Sequence, residues 1–453
     1  MLHFFTTVTA PKLSGDFSAD FWQRRVLRAC TTEPSIRHAV ISIAAIHQDF
    51  ISRHENYGLG QDPSIKSFAF RQYTKAISHL HRLMSTRTQQ LDITLMSCIL
   101  FICFDCISGN HDSAIIHLKA GLKILEDIKK QNIEALSPVE TTSAHEWERE
   151  FAPLLLGLGV QAASFVNPKY RKDRAALWRM MKEARVPTDP LTFHSINEAR
   201  HALETLIADI MSDRTTMEDR TDPHRLPNPD GSKSQMHAVA MDEWKSALER
   251  YIATYPAANS KKVENGADVL MVHWLLISIV IDMPKLSTAR FEHLVALCDS
   301  IVPQHIDSTY NSSNLGFSTD IGVIAPLFFA ALRAPNFAIR RRALDILARS
   351  PRREGMWDSG DAVAVAGDAL RANEEHGDAR DSISPMPTDC PSAETKGWDD
   401  VSNISKDMFS WPYCQTIAAQ PTSLVHGFPF TRSEPLEQAH SHYTGEYLDQ
   451  PGL

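Results

Sequence analysis

FSTDIGVIAPLFFAALRAPNFAIRRRALDILARSPRREGMWDSG, from Phe317 to Gly360, reads as an apolar run, a turn broken by Pro335, a basic amphipathic helix and then the polar string REGMWDSG. Ile339, Ala343, Ile346 and Leu347 recur at the spacing of one helical face, which leaves the arginines on the other. Neither here nor elsewhere do a nucleophile, a base and an orienting group fall at recognisable spacing, so the chain is not expected to be an enzyme.

The helical period extends outward from this stretch. Ile36, Val40, Ile43 and His47 lie on one face, and Pro34 suits the first turn of their helix because its missing N–H has no partner there. Tyr73, Ala76, Ile77, Leu80, Leu83 and Met84 repeat the stripe, as do Ala114, His117, Leu118, Gly121, Leu122, Leu125 and Ile128. Ser195 with Glu198 forms a capping box ahead of Leu203, Leu206, Ile207 and Ile210. Met236, Val239, Ala240, Trp244, Ala247, Leu248 and Tyr251 continue the pattern, followed by apolar helices at 269–281 and 290–302. No fixed repeat length emerges. The fold expected is all-α, an irregular array of packed antiparallel helices with a disordered linker and a C-terminal tail. The divisions read from the sequence are an N-terminal segment 1–16, a helical domain 17–372 with an exposed loop near 212–234, a linker 373–400 poor in apolar residues, and a tail 401–453.

The chain has 453 residues, 43% of them hydrophobic, enough for a sizeable core. Its net charge of −9 is the wrong sign for autonomous DNA binding, which works by neutralising phosphates with Lys and Arg. The stretches 91–107 and 269–281 read as buried core helices rather than membrane spans, and MLHFFTTVTA lacks the basic residues of a signal peptide. The seven cysteines form no disulfide framework, and only Cys103 with Cys106 has metal-ligand spacing, without the second pair that a tetrahedral zinc site needs. Buried helix thiols are the better reading. Gly157, Gly159 and Ala162 spell a G-x-G-x-x-A string with no strand before it, which argues against a dinucleotide site. His47 and His117 sit on apolar faces as core histidines. No catalytic residue, cofactor or metal is expected.

One basic cluster has two readings. Arg340, Arg341, Arg342, Arg352 and Arg353, with Arg349 nearby, could form a nuclear import or phosphate-contacting patch, or a solvated face that pairs with acids of the same chain. The second is preferred, with Glu354 and Asp358 as candidate partners.

Four blocks together resemble the regulatory region of fungal zinc-cluster transcription factors. Pro326, Leu327, Arg333, Pro335, Arg340, Arg341, Ala343, Leu347, Pro351, Arg353, Glu354, Gly355, Trp357 and Asp358 match its PL-(apolar)-RxPxxRRxAxxxL and P-x-REG-x-W-(D/E) elements. Phe21, Trp22, Glu33, Pro34, Arg37, His38, Ala39, Ala44 and His47 match its FW…EPxxRHA opening. The stretch from Ala114 to Leu125 resembles its HLxxGLxIL helix, and Ser195 to Leu203 its SxxEARxxL element. Full-length members carry a six-cysteine zinc cluster that enters the DNA major groove; no such cysteine pattern occurs in this sequence. The resemblance implies a nuclear regulator of metabolic or secondary-metabolite genes. It would act through protein partners, a zinc-cluster homologue or a coactivator, with a homodimer and a small-molecule effector also implied. The alternative is a helical scaffold or biosynthetic-cluster accessory protein that works by protein contact.

Overall fold

Apolar stripes at the helical period account for most of the elements. The computed structural model describes residues 1–55, 63–85, 91–134, 141–165, 171–184, 192–218, 231–254, 261–282, 287–302, 316–349 and 351–381. The linker and tail expected at 373–400 and 401–453 fall largely outside these residues, as does most of the loop near 212–234.

Helices α1 (Leu2–Phe4) and α2 (Ala10–Ser14) are joined by a π turn at Phe5–Thr9, and a second π turn, Phe21–Arg25, leads into α3 (Val26–Thr32). The next helices are α4 (Pro34–Glu55), α5 (Pro63–Ser85), α6 (Leu91–Ser108), α7 (His111–Glu134) and α8 (Thr141–Ser164). The middle of the chain forms α9 (Arg171–Ala184), α10 (Ile196–Glu218), α11 (Gly231–Thr254), α12 (Lys261–Ile281) and α13 (Thr288–Ile301). Three more follow, α14 (Ile324–Arg333), α15 (Phe337–Arg349) and α16 (Ser359–Asp381). Sequence neighbours pack on one another throughout, most extensively α4 on α5, α6 on α7 and α14 on α15.

The EPxxR string has a mechanical explanation. Pro34 opens α4, while Arg37 one turn later reaches back and donates to the carbonyls of Cys30 (2.9 Å) and Thr31 (2.7 Å). A guanidinium thus satisfies the last carbonyls of α3, whose C-terminal dipole favours a cation. The capping box at Ser195 forms with a variation. Ser195 Oγ accepts from Glu198 N–H at 3.2 Å, but the Glu198 carboxylate takes the N–H of His194 rather than that of Ser195.

Helix α6 is buried nearly all round, and α12 along most of one side. Both are long and apolar enough by composition to cross a membrane; in this fold they are core helices, shielded by the helices packed around them. The stripes expected in the sequence point inward at Ile36, Val40, Ile43, Leu118 and Leu122, all at most 1% exposed. Two depart from expectation. Ile77 and Met84 on α5, and Met236 and Val239 on α11, face solvent, because each lies on the flank of its helix away from the neighbour that covers Ala76 or Trp244.

A small sheet interrupts the helices. Strand β1 (Gly316–Ser318) runs parallel to β2 (Arg352–Glu354), pairing Phe317 with Arg353, and β2 turns back onto β3 (Trp357–Asp358), pairing Glu354 with Trp357. The two-residue turn needs a positive φ at its first position, which Gly355 supplies at 55°. These strands are too short to show a two-residue alternation in the sequence, and REGMWD reads there as polar punctuation. The first residues also join the core. Phe5, Ala10 and Leu13 are at most 1% exposed and cluster with residues from as late as Ala366.

Candidate functional site

The segment after β1 is where distant parts of the chain meet. Thr319 Oγ1 donates to the carbonyl of Leu13 on α2 at 2.9 Å, and its own carbonyl accepts from Gln161 Nε2 on α8. Gly322 O accepts from His273 Nε2 on α12 at 2.7 Å, which places the ring proton on Nε2. Burial pushes the His273 pKa down to about 4, so the ring is neutral. Gly355 N–H donates to Ser318 O at 2.9 Å and extends the strand pairing into the turn.

Arg200, from the EAR string, lies under this segment between two buried carboxylates. It donates to Glu204 Oε1 at 2.8 Å and to Asp320 Oδ1 at 2.6 Å, and its guanidinium stacks on Phe17 at 5.0 Å. Burial raises the pKa of Glu204 to about 7 and raises that of Asp320, against the opposing pull of Arg200. Gly15, at φ 48°, ends α2 against Asp320. A Cβ there would come within 2.0 Å of Asp320 Oδ2, so only glycine fits.

The REG turn does three separate jobs. Arg353 pairs with Asp358 at 2.8 Å, donates to the carbonyls of Cys106 (3.2 Å) and Ile107 (3.0 Å), and lies over the Phe50 ring, thereby capping the C-terminal end of α6. Glu354 accepts from the N–H groups of Val323 (3.2 Å) and Ile324 (2.9 Å), two of the donors that the first turn of α14 leaves without helical partners. Gly355 makes room for Gln161, whose Oε1 lies where a Cβ would stand. Two residues on, Trp357 donates to Ser164 Oγ at 3.2 Å and stacks edge-on against Phe165.

These contacts close one side of an apolar cavity. Helix α14 supplies Ala325, Phe328 and Leu332, and α12 supplies Leu276, Ile277 and Val280. Trp178 of α9, Met211 of α10 and Trp357 complete the wall, with Arg333 at the end of α14. The space open to the centres of water-sized molecules is about 80 Å³.

The arginine cluster divides among different partners. Arg340 donates to Ala334 O at the end of α14, Arg342 pairs at 2.9 Å with Asp299 of α13 alongside Arg349, and Arg352 lies 3.7 Å from Glu354. The two cations beside Asp299 hold its pKa below the ordinary carboxylate range. Arg341 pairs loosely with Asp345 at 3.6 Å, and its side chain is 59% exposed. Cys103 and Cys106 lie inside α6, and burial raises both thiols, Cys106 to about 12, which leaves them protonated. Among the described residues no group of three His, Cys, Asp or Glu could hold a metal ion. His47 meets Thr9 Oγ1 at 3.1 Å, and His117 meets the Tyr73 hydroxyl at 3.0 Å, where Tyr73 also donates to the buried Asp105.

Sequence reasoning missed Gln161, His273, Thr319 and Asp320, because each finds its partner far along the chain, up to 306 residues away. One signal was available. Asp320 is the single charge in the apolar run from Phe317 to Leu332, and a charge in such a run needs a buried counter-ion.

The array is almost wholly helical, and its separated anchors pack in one core around the REG turn. Residues 1–151 match the family model described as the fungal specific transcription factor domain. Across more of its length the chain is similar to the aspercryptin biosynthesis cluster-specific transcription regulator atnN of Emericella nidulans, with 19% identity over 423 residues, covering 74% of this chain and 67% of that protein. No solved structure matches the chain. The family match and the relative support transcription regulation.

Proposed function

We propose that the protein acts in the nucleus, controlling a set of metabolic or secondary-metabolite genes through protein partners that read the DNA. The observation that carries this reading is the fungal transcription factor domain at residues 1–151, packed in one core with the EAR and REG anchors of the later chain. Two properties support the dependence on partners. The net charge is −9, and many of the arginines that could contact phosphates are paired inside the chain. A zinc-cluster homologue or a coactivator is the partner class that suits a regulatory domain of this kind.

Three measurements test the proposal. Deleting the gene changes the transcript levels of a defined gene set, and a fluorescent fusion concentrates in the nucleus; unchanged transcripts across growth conditions count against it. The purified chain alone binds DNA weakly and without sequence preference, with affinity falling steeply as salt rises. Selection of one DNA site over scrambled competitors by about a hundredfold or more, without a partner, overturns the dependence on partners.

A further inference from the structure

We propose that the cavity between α12, α14 and Trp357 is a binding site for an uncharged small molecule built on one or two aromatic rings. This goes beyond the regulatory reading and does not depend on it.

The size limits the ligand. About 80 Å³ open to water-sized centres corresponds to roughly five to eight water-sized positions, which suits a body of one or two fused rings. The walls set its character. Trp178, Phe328 and Trp357 present aromatic surface, and rings meet such surface well in stacked or edge-on geometry.

Most polar groups of the wall are already committed. The exception is Gln161 Oε1, which is buried without a hydrogen-bond donor and could accept from a ligand hydroxyl. His273 Nε2 is engaged with Gly322 O, and both oxygens of Glu354 hold the first N–H groups of α14. Ser164 Oγ accepts from Trp357 Nε1 and donates to Gln161 O at 2.9 Å. A charged ligand entering among them would shed its hydration without replacement, which is costly, whereas an apolar ring loses nothing. Arg333, with Arg340 beside it, disfavours a cation at the end of α14. An anion attracted to Arg333 is the competing outcome, and a matched pair of probes separates the two.

The test is calorimetric titration of the full chain near neutral pH with 2-naphthol and with 2-naphthoate, which share a ring system and differ in charge. Saturable one-to-one binding of 2-naphthol is expected, with heat that grows more negative as temperature rises, the mark of apolar burial. Naphthoate should bind at least tenfold more weakly. Ala325→Phe and Ile277→Phe fill the cavity from two different helices, and each should weaken 2-naphthol binding at least tenfold while cooperative melting persists. Intrinsic tryptophan emission should change in step with the heat, because Trp178 and Trp357 touch the ligand. Absence of saturable binding, equal or tighter binding of naphthoate, unchanged binding in both folded filling variants, or tryptophan emission that ignores saturation would each overturn the assignment. If neither variant folds, the probe pair and the emission change on the unaltered chain decide.

Discussion

Arg200 is the cation that bonds to two buried carboxyl groups, so its removal leaves both without that partner in the core. Arg200→Met is expected to lower stability by about 3–5 kcal/mol, the usual penalty for breaking a buried pair from one side, as read from urea unfolding. The buried carboxyl of Asp105 gives a pH signature instead. Burial lifts its pKa from 3.8 to about 8, while the hydrogen bond from Tyr73 pulls the other way. Between those values the unfolded chain has lost the proton that the folded chain keeps, so this group makes stability fall as pH rises from about 4 to about 8, and no further above that. His117 acts in the opposite direction. Burial lowers its pKa from 6.5 to about 4, and its contribution is lost as pH falls through that window. Asp105→Asn removes the first slope, so comparison of its urea midpoint with that of the unaltered protein at about pH 5 and about pH 8 should show the gap moving in favour of the variant at the higher pH. An unchanged gap would mean that Asp105 is ionised in the fold.

At the scale of elements, helix ends depend on side chains from elsewhere. Arg37 finishes α3, Arg353 finishes α6, and Glu354 starts α14. Glu354→Gln keeps the shape but offers an amide nitrogen to one of two N–H donors, so a loss of about 1.5–3 kcal/mol is expected. The loss should appear in hydrogen exchange as faster opening at Val323 and Ile324 than in α4; uniform protection would rule out the capping role. The helices themselves were legible, since their apolar stripes have the 3.6-residue period and long runs average out local exceptions. What covers each face was not. Ile77 and Met84 carry the same pattern as Ala76 and Leu80 yet lie outside the packed flank, a distinction made by tertiary contact alone. Strands of two and three residues carry too little pattern to be seen at all.

For the whole molecule, the first and last parts of the described chain form one core. Phe5→Ala should therefore cost about 3–5 kcal/mol even though it lies at the N-terminal edge of the sequence. Melting that stays within error of the unaltered protein would mean that the first helices are peripheral. The Arg, Glu and Gly of the REG turn stood out as a motif, but their work depends on Thr319, Gln161 and Cys106, which no local pattern links to them. Thr319 closes on Leu13 across 306 residues, and this span has a consequence during synthesis. At about 5–20 residues per second, a ribosome takes on the order of 15–60 s to make the intervening chain. Through that interval the early helices lack the later segments that cover their apolar faces, and chaperone binding to the nascent chain is the expected outcome. Messages or frameshifts that end before Trp357 would lack the turn that covers these faces, and their products are expected to be cleared by proteolysis.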